Sequence, residues 1–294
     1  VVMTELDFPS VRYAIERLAP RLGARVVVVP ADDDGVGIEQ ERLHAAIDGR
    51  TALVAVSHVR FRSAYILDAD RLCAHAHAMG AVVSLDAYHS VGVIPVDVKA
   101  SGVDFLTGGV LKWLCGGPGG CFIYASPEAM SRFAPALTGW QAHRQPFGFE
   151  QTMQFADGAQ RWLGGTPTVP ALYAALEGPR IVREAGAGAI REKSMRQTAR
   201  LIALADARGY RVHAPRDAAH RGGTVAFDVP HGAEVAQALL QRDVVIDYRP
   251  GAGIRVAPHF YTSDDEVERV VAEIDDILAT DAWRRFEGAR PRVT

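Results

Sequence analysis

The sequence lacks the features that several classes of protein need. Its 294 residues include only three cysteines, too few for a disulfide framework and in no zinc-binding spacing, so we expect a reducing compartment, the cytoplasm, and no metal site. No apolar run approaches the roughly 18 residues that span a bilayer, and no basic-then-apolar signal peptide opens the chain. The 32 basic and 35 acidic residues leave a net charge of -3. No nucleic acid or membrane partner is therefore expected.

Lysine is also scarce, at only three positions: Lys99, Lys112 and Lys193. Chemistry that needs a side-chain amine thus has few candidates. In contrast, hydrophobic residues make up 48% of the chain, enough to bury a large core. Length and composition together predict one large domain or two unequal ones.

Short apolar runs rich in β-branched residues alternate with segments of helical spacing in the first part of the chain. The predicted strands are residues 25–29, 52–56, 81–85, 105–106 and 120–124. The predicted helices are residues 39–47 and 69–79. Alternating strands and helices favour an α/β fold with a mostly parallel sheet flanked by helices.

The pattern changes after about residue 170. A helical connector is predicted over residues 171–208, broken at Gly178-Pro179. Strands at 223–229, 244–248 and 254–256 and helices at 231–242 and 263–278 follow, the last with Ser263 as N-cap. These elements predict a small C-terminal α+β domain, with residues 1–185 as the large domain and residues 186–294 as the small one.

Two predicted strands end in residues suited to chemistry. Asp86 lies at the carboxyl end of the strand near residues 81–85, with His89 three positions later. The next strand leads to Lys112 and then to a glycine-rich run. Ligands of open α/β sheets bind at the carboxyl ends of the strands. A lysine among apolar neighbours is either a nucleophilic amine whose pKa burial lowers or a lysine whose ammonium reaches solvent, and the local pattern leaves both open.

The ordered combination of motifs resembles the fold-type I pyridoxal-phosphate (PLP) enzymes of the class V aminotransferase superfamily, most closely their kynureninase-like branch. Besides Asp86, His89 and Lys112, the matching motifs include Phe8-Pro9-Ser10, Ser57-His58-Val59, Gly139-Trp140, Gly165-Thr166-Pro167 and Arg255-Val256-Ala257-Pro258. The resemblance covers essentially the whole chain. It also implies that family members carry about a hundred further residues at the front, so that the amino-terminal part of the large domain is missing here.

The resemblance implies a role for each matching residue. Lys112 would form the Schiff base with PLP, Asp86 would pair with the pyridinium nitrogen, and His89 would lie near the ring hydroxyl. Trp140 would bind the cofactor phosphate, and Thr166 would reach that phosphate from a neighbouring subunit, which implies a homodimer. The substrate would be an α-amino acid.

Three further residues would line the substrate side of the site. Arg255 would bind the substrate carboxylate, and Ser57 and His58 would lie beside it. The alternative for Arg255 is an ion pair with Asp264 or Asp265.

Several activities remain open within this resemblance. Hydrolytic side-chain cleavage and transamination come first, followed by epimerisation and C–S lysis, because the same cofactor serves all of them. Leu111 stands where kynureninases carry tyrosine, a difference that supports a non-catalytic relative as an alternative. An ordinary nucleotide-binding protein is disfavoured, since no phosphate-binding fingerprint is present.

Overall fold

The computed structural model describes residues 1–288. Six strands in this part of the chain form the main sheet. They are β1 (Val2–Thr4), β2 (Val27–Val29), β3 (Leu53–Ser57), β4 (Val82–Asp86), β5 (Phe105–Gly109) and β6 (Cys121–Ala125). Their order is β2-β1-β3-β4-β5-β6, and only β6 runs antiparallel to its neighbour. The predicted mostly parallel α/β sheet is confirmed. Strand β1 was not predicted, because its apolar run, Val1-Val2-Met3, is shorter than the predicted segments that overlap the other three-residue strands.

Four helices accompany this sheet: α1 (Pro9–Leu18), α2 (Gln40–Ala45), α3 (Ala69–Ala78) and α4 (Pro127–Arg132). Helices α2 and α3 pack on the sheet through buried apolar residues such as Leu43 and Leu72, whereas no residue of α1 is buried. Helix α3 begins where the Asp68 carboxylate accepts the Arg71 N–H at 3.0 Å, a typical N-cap. Its Leu72 and Ala76 are fully buried in the same core as Val54 of β3. This packing fixes the sheet whose strand ends carry the predicted site residues.

A segment of short turns and three further helices leads away from the sheet. The helices are α5 (Val169–Ala174), α6 (Glu177–Ala185) and α7 (Ala187–Asp206). The predicted connector is interrupted twice. The first interruption is at residues 175–176, two positions before the predicted break, because Gly178 and Pro179 lie in the first turn of α6, where N–H groups have no helical partner. The second is at Gly186, whose φ of 84° suits glycine.

The last part of the described chain forms a three-stranded antiparallel sheet with its own apolar core. Its strands are β7 (Val225–Phe227), β8 (Asp247–Arg249) and β9 (Gly253–Val256), in the order β7-β9-β8. Its helices are α8 (Gly232–Leu240) and α9 (Asp264–Ala279). The predicted N-cap of α9 is confirmed as a capping box, because Ser263 Oγ accepts the Glu266 N–H at 3.2 Å and Glu266 accepts the Ser263 N–H at 2.7 Å.

The division into domains at residue 185 stays a prediction. The end of the predicted small domain, residues 289–294, lies outside the described residues. Within residues 1–288, no helix combines the length and the apolarity needed to cross a membrane.

Candidate active site

The carboxyl ends of β3 and β4 bring three predicted residues side by side. Ser57 and Asp86 are paired in the register of the two strands. The next residue, His58, donates its backbone N–H to the carbonyl of Asp86 at 2.9 Å. Because both strands are parallel, their last residues meet at one edge of the sheet, where α/β proteins bind ligands.

The Asp86 carboxylate is held in place and largely shielded from solvent. Its Oδ1 accepts the Tyr88 N–H at 2.9 Å. Burial raises the pKa of Asp86, while the Tyr88 N–H and the charge of Lys112 act in the opposite direction. The Tyr88 ring packs on Gly109 of β5, where any Cβ would overlap the ring. The glycine therefore lets the segment after β4 lie directly on β5.

Lys112 lies in a tight turn three residues after β5. The Cys115 N–H donates to the Lys112 carbonyl at 3.0 Å, and the Gly116 N–H donates to Val110 at 2.7 Å. Trp113 anchors the turn, because its indole is buried against Gly223. Any side chain at position 223 would overlap this ring. The turn thus points the partly buried Lys112 side chain back toward the strand ends.

The Lys112 amine contacts His89 and two aromatic rings. Nζ lies 2.6 Å from His89 Nε2. It also lies 5.7 Å from the ring centre of Tyr88 and 5.8 Å from that of Phe8, within the range of a cation–π contact. The fold therefore brings Lys112 to the residues that follow β4.

The surroundings of Lys112 and His89 favour the neutral form of both side chains. Burial lowers the pKa of Lys112, helped by Arg255 and Arg249 and opposed by Asp86. Burial also lowers the pKa of His89 to about 3, and the Lys112 charge adds to this effect. A neutral His89 can accept an N–H of Lys112 through Nε2. Such an amine loses its proton more easily than an exposed lysine and can act as a nucleophile.

Lys112 and His89 open into a cavity of about 300 Å³. Asp247, Arg255 and His259, all from the three-stranded sheet or the loop after it, line the opposite side. The cavity thus lies between the two sheets, with an amine on one wall and a guanidinium on the other.

Arg255 projects from β9 into this cavity and is mostly buried. Its guanidinium donates to the Phe61 carbonyl and to the Asp247 carboxylate of the neighbouring strand. The alternative ion pair with Asp264 or Asp265 is wrong, because cross-strand pairing puts Arg255 opposite Asp247. Arg255 Nε is buried and has no hydrogen-bond partner among the described residues.

Asp247 was not singled out in the sequence. It binds both Arg255 and Arg249, the latter at 3.0 Å. The signal that could have revealed it is an aspartate at the apolar end of a predicted strand, two residues before an arginine.

A buried ion pair beneath the site was missed as well. Asp7 accepts the backbone N–H groups of Thr4 and Ser57, each at 2.7 Å, and binds Arg60 at 2.5 Å. The side chains of Asp7 and Arg60 are 0% and 1% exposed, so removing either would leave a buried charge without its partner. The pair joins the end of β1 to the segment after β3. Recognising β1 in the sequence would have pointed to Asp7.

Trp140 and Thr166 lie apart from this cavity. Trp140 packs against Phe147 and Phe149, with ring centres 5.4 Å and 6.1 Å away, and lines a separate pocket. Thr166 is exposed in a turn. A single chain therefore does not bring these two residues to Lys112, and their roles stay predictions.

Fold and site together define an α/β enzyme with a partly buried lysine amine in its cavity. The family model for aminotransferase class-V matches residues 1–269. A kynureninase from Pseudomonas fluorescens is 32% identical over 98% of this chain and 69% of its own length. A kynureninase from Burkholderia mallei (strain SAVP1) is also 32% identical, over 100% of this chain and 71% of its own. The chain belongs to the aminotransferase class-V family, and the predicted class, a PLP-dependent enzyme, is confirmed.

Solved structures agree with this fold. The apo structure of a cysteine desulfurase from Thermococcus onnurineus NA1 has a TM-score of 0.83 at 24% identity and covers 95% of this chain and 72% of its own. The cystine C-S lyase C-DES, in complex with cysteine persulfide, has a TM-score of 0.81 at 20% identity, over 94% and 74%. At such identities the likeness concerns the fold alone.

Proposed function

We propose that this chain hydrolyses a carbon–carbon bond in the side chain of a kynurenine-like α-amino acid, with PLP bound through Lys112. The observation that carries the proposal is the Lys112 amine, 2.6 Å from His89 in a cavity that also holds Arg255. The sequence likeness to kynureninases supports this reaction among those open to the family.

The residues at the strand ends fit PLP. The cofactor needs an amine, a carboxylate for its ring nitrogen and donors for its anionic groups. Lys112 and Asp86 supply the first two, and each acts on the pKa of the other. His58 Nδ1 is buried and forms no hydrogen bond, so the site contains a polar atom without a partner.

When bound, PLP supplies an electron-accepting ring that stabilises negative charge at the substrate carbon. Asp86 would hold a proton on the ring nitrogen, since its charge favours the protonated form. Lys112 would move a proton at the substrate Cα, and His89 would orient the Lys112 amine. The neighbouring aromatic rings limit the water around this amine.

Substrate binding is assigned to the opposite wall. Arg255 would hold the α-carboxylate with its planar guanidinium, and Ser57 and His58 would line the adjoining strand ends. Hydrolysis then adds the hydroxyl of water to the acyl carbon and its hydrogen to the β-carbon, so that the side chain leaves as a carboxylic acid.

The dimer proposal concerns the segment between β6 and α7. Many large apolar side chains are exposed there, including Leu137 at 93%, Phe147 at 75% and Tyr173 at 72%. Apolar patches of this kind favour burial against another protein, and a second copy of the chain would also allow Thr166 to reach the partner's cofactor phosphate beside Trp140. The three free cysteines support a cytoplasmic location.

Transamination is the second candidate. Leu111, before the lysine, is 47% exposed and offers no polar group to the chemistry. If cleavage requires a polar side chain at this position, we expect the enzyme to transfer the amino group and not to cleave the side chain.

The test begins with the visible absorption of the purified chain with added PLP. We expect a yellow band that Lys112→Ala abolishes and that Lys99→Ala and Lys193→Ala leave unchanged. Incubation with kynurenine should then release anthranilate. A colourless protein would contradict PLP binding, and amino transfer to a keto acid without anthranilate would establish the second candidate.

A further inference from the structure

His259 reaches the lysine turn from the other sheet. It follows β9 by three residues and lines the Lys112 cavity. Its Nε2 lies 3.3 Å from Cys115 Sγ, at the end of the Lys112 turn, although the two residues are 144 positions apart in sequence. A single side chain thus connects the turn that carries the amine with the strand that carries Arg255.

The hydrogen bonds of His259 determine which ring nitrogen carries the proton. Nδ1 accepts the Phe260 N–H at 2.9 Å, so in the neutral ring the hydrogen is on Nε2. Nε2–H therefore donates toward Cys115. Burial lowers the pKa of His259, and the nearby backbone of Trp113 and Lys112 opposes this effect.

Aromatic packing prevents the ring from turning away. The Tyr261 ring stacks on it at 4.5 Å with an interplanar angle of 14°, and Trp113 lies 5.2 Å away on the turn itself. Cys115 has a φ of 53°, a backbone conformation that is unfavourable for a residue with a side chain and that neighbours must stabilise.

We propose that His259 is a positioning residue, which braces the Lys112 turn through Cys115 and so sets the amine relative to Arg255. The proposal rests on the proposed function, because the position of Lys112 matters only where that amine binds PLP. An amine displaced by even about 1 Å can lose about a hundredfold in rate.

The substitutions His259→Leu and His259→Gln separate the hydrogen bond from the volume of the ring. Leucine has no donor, whereas the glutamine amide can place an N–H where Nε2–H lies. His231→Leu is the matched control, since His231 also stacks on an aromatic ring, that of Trp283 at 3.5 Å, outside the residues that line the cavity.

The first measurement needs no cofactor. In a Cys121→Ser background Cys115 is the exposed thiol and Cys73 is buried, so a disulfide reagent reports on Cys115. We expect about a fivefold slower reaction in His259→Leu, because the N–H that stabilises the thiolate is lost, and rates within about twofold of the parent for His259→Gln and His231→Leu. Equal rates in all variants, or equal changes in both His259 variants, would overturn the proposed contact.

The second measurement is an absorbance titration with PLP. We expect His259→Leu to weaken PLP binding about tenfold, His259→Gln to restore it within about twofold, and His231→Leu to leave it unchanged. If PLP binds the parent and His259→Leu equally well, the positioning role is wrong while the proposed function stands. If PLP does not bind the parent, the proposed function fails, and the thiol measurement still decides the contact.

Discussion

The sequence predicted two cofactor-binding regions, and the structure places them differently. One contains Asp86 and Lys112, and the other contains Trp140 and Thr166. The ends of β3 and β4 and the Lys112 turn converge on one buried cavity, where Lys112 Nζ is 2.6 Å from His89. The segment with Trp140 and Thr166 lies outside that cavity and exposes apolar side chains. Parallel strands must bring their ends together, whereas a segment of turns has no such constraint. The first region therefore comes together within one chain, and we expect the second to need a second chain.

The largest effect is expected from Asp86→Asn in the first region. The substitution keeps the shape and the Tyr88 contact but removes the charge that we propose lies opposite the cofactor nitrogen, so activity should fall about 10²- to 10³-fold. Steady-state rates with kynurenine measure this loss of activity. Asp97→Asn, in an exposed turn, is the control, and a similar rate in both variants would remove Asp86 from the mechanism.

Arg255→Lys tests the opposite wall of the same cavity. A lysine cannot reproduce the planar fork, so KM should rise about tenfold or more with a smaller change in kcat. Arg269→Lys, on the exposed face of α9, should change neither constant. An unchanged KM would show that another group binds the carboxylate.

Leu137→Asp tests the second region. A charge in the exposed apolar segment should weaken self-association at least tenfold, because the interface would bury an unpaired carboxylate. Light scattering over a concentration series measures the mass. Leu22→Asp is the matched control, since Leu22 is 83% exposed in the turn after α1. A monomeric parent chain, or equal effects of both substitutions, would refute the assignment of this surface.

The smallest effect concerns pH. Burial lowers the pKa of His58 to about 4 and that of His89 to about 3, from 6.5 in an exposed histidine. Between pH 6.5 and 4 the unfolded chain binds protons that the folded chain does not, so these histidines lower stability as the pH falls.

Denaturant unfolding at pH 7 and pH 6 measures this loss, which should be about 1–2 kcal/mol for the two groups together. His58→Gln and His89→Gln should each reduce it. If neither substitution changes how the free energy of unfolding depends on pH, these rings titrate normally in the folded chain.

The sequence predicted the main residues of the first region but not the ion pairs around them. Asp86 and Lys112 were found because each follows a run of buried strand residues. Asp7 was missed because the apolar run of β1 was too short to predict a strand. Asp247 was missed because nothing in the sequence showed which strand residues face Arg255.

Local sequence, then, determined the strands, the start of α9 and the scarcity of amines that singled out Lys112, since these depend on neighbours within a few residues. Tertiary structure alone decided that Asp247 pairs with Arg255, that Asp7 pairs with Arg60 and that His259 meets Cys115. These contacts depend on strand order and on the packing of the two sheets, which no short stretch of sequence specifies.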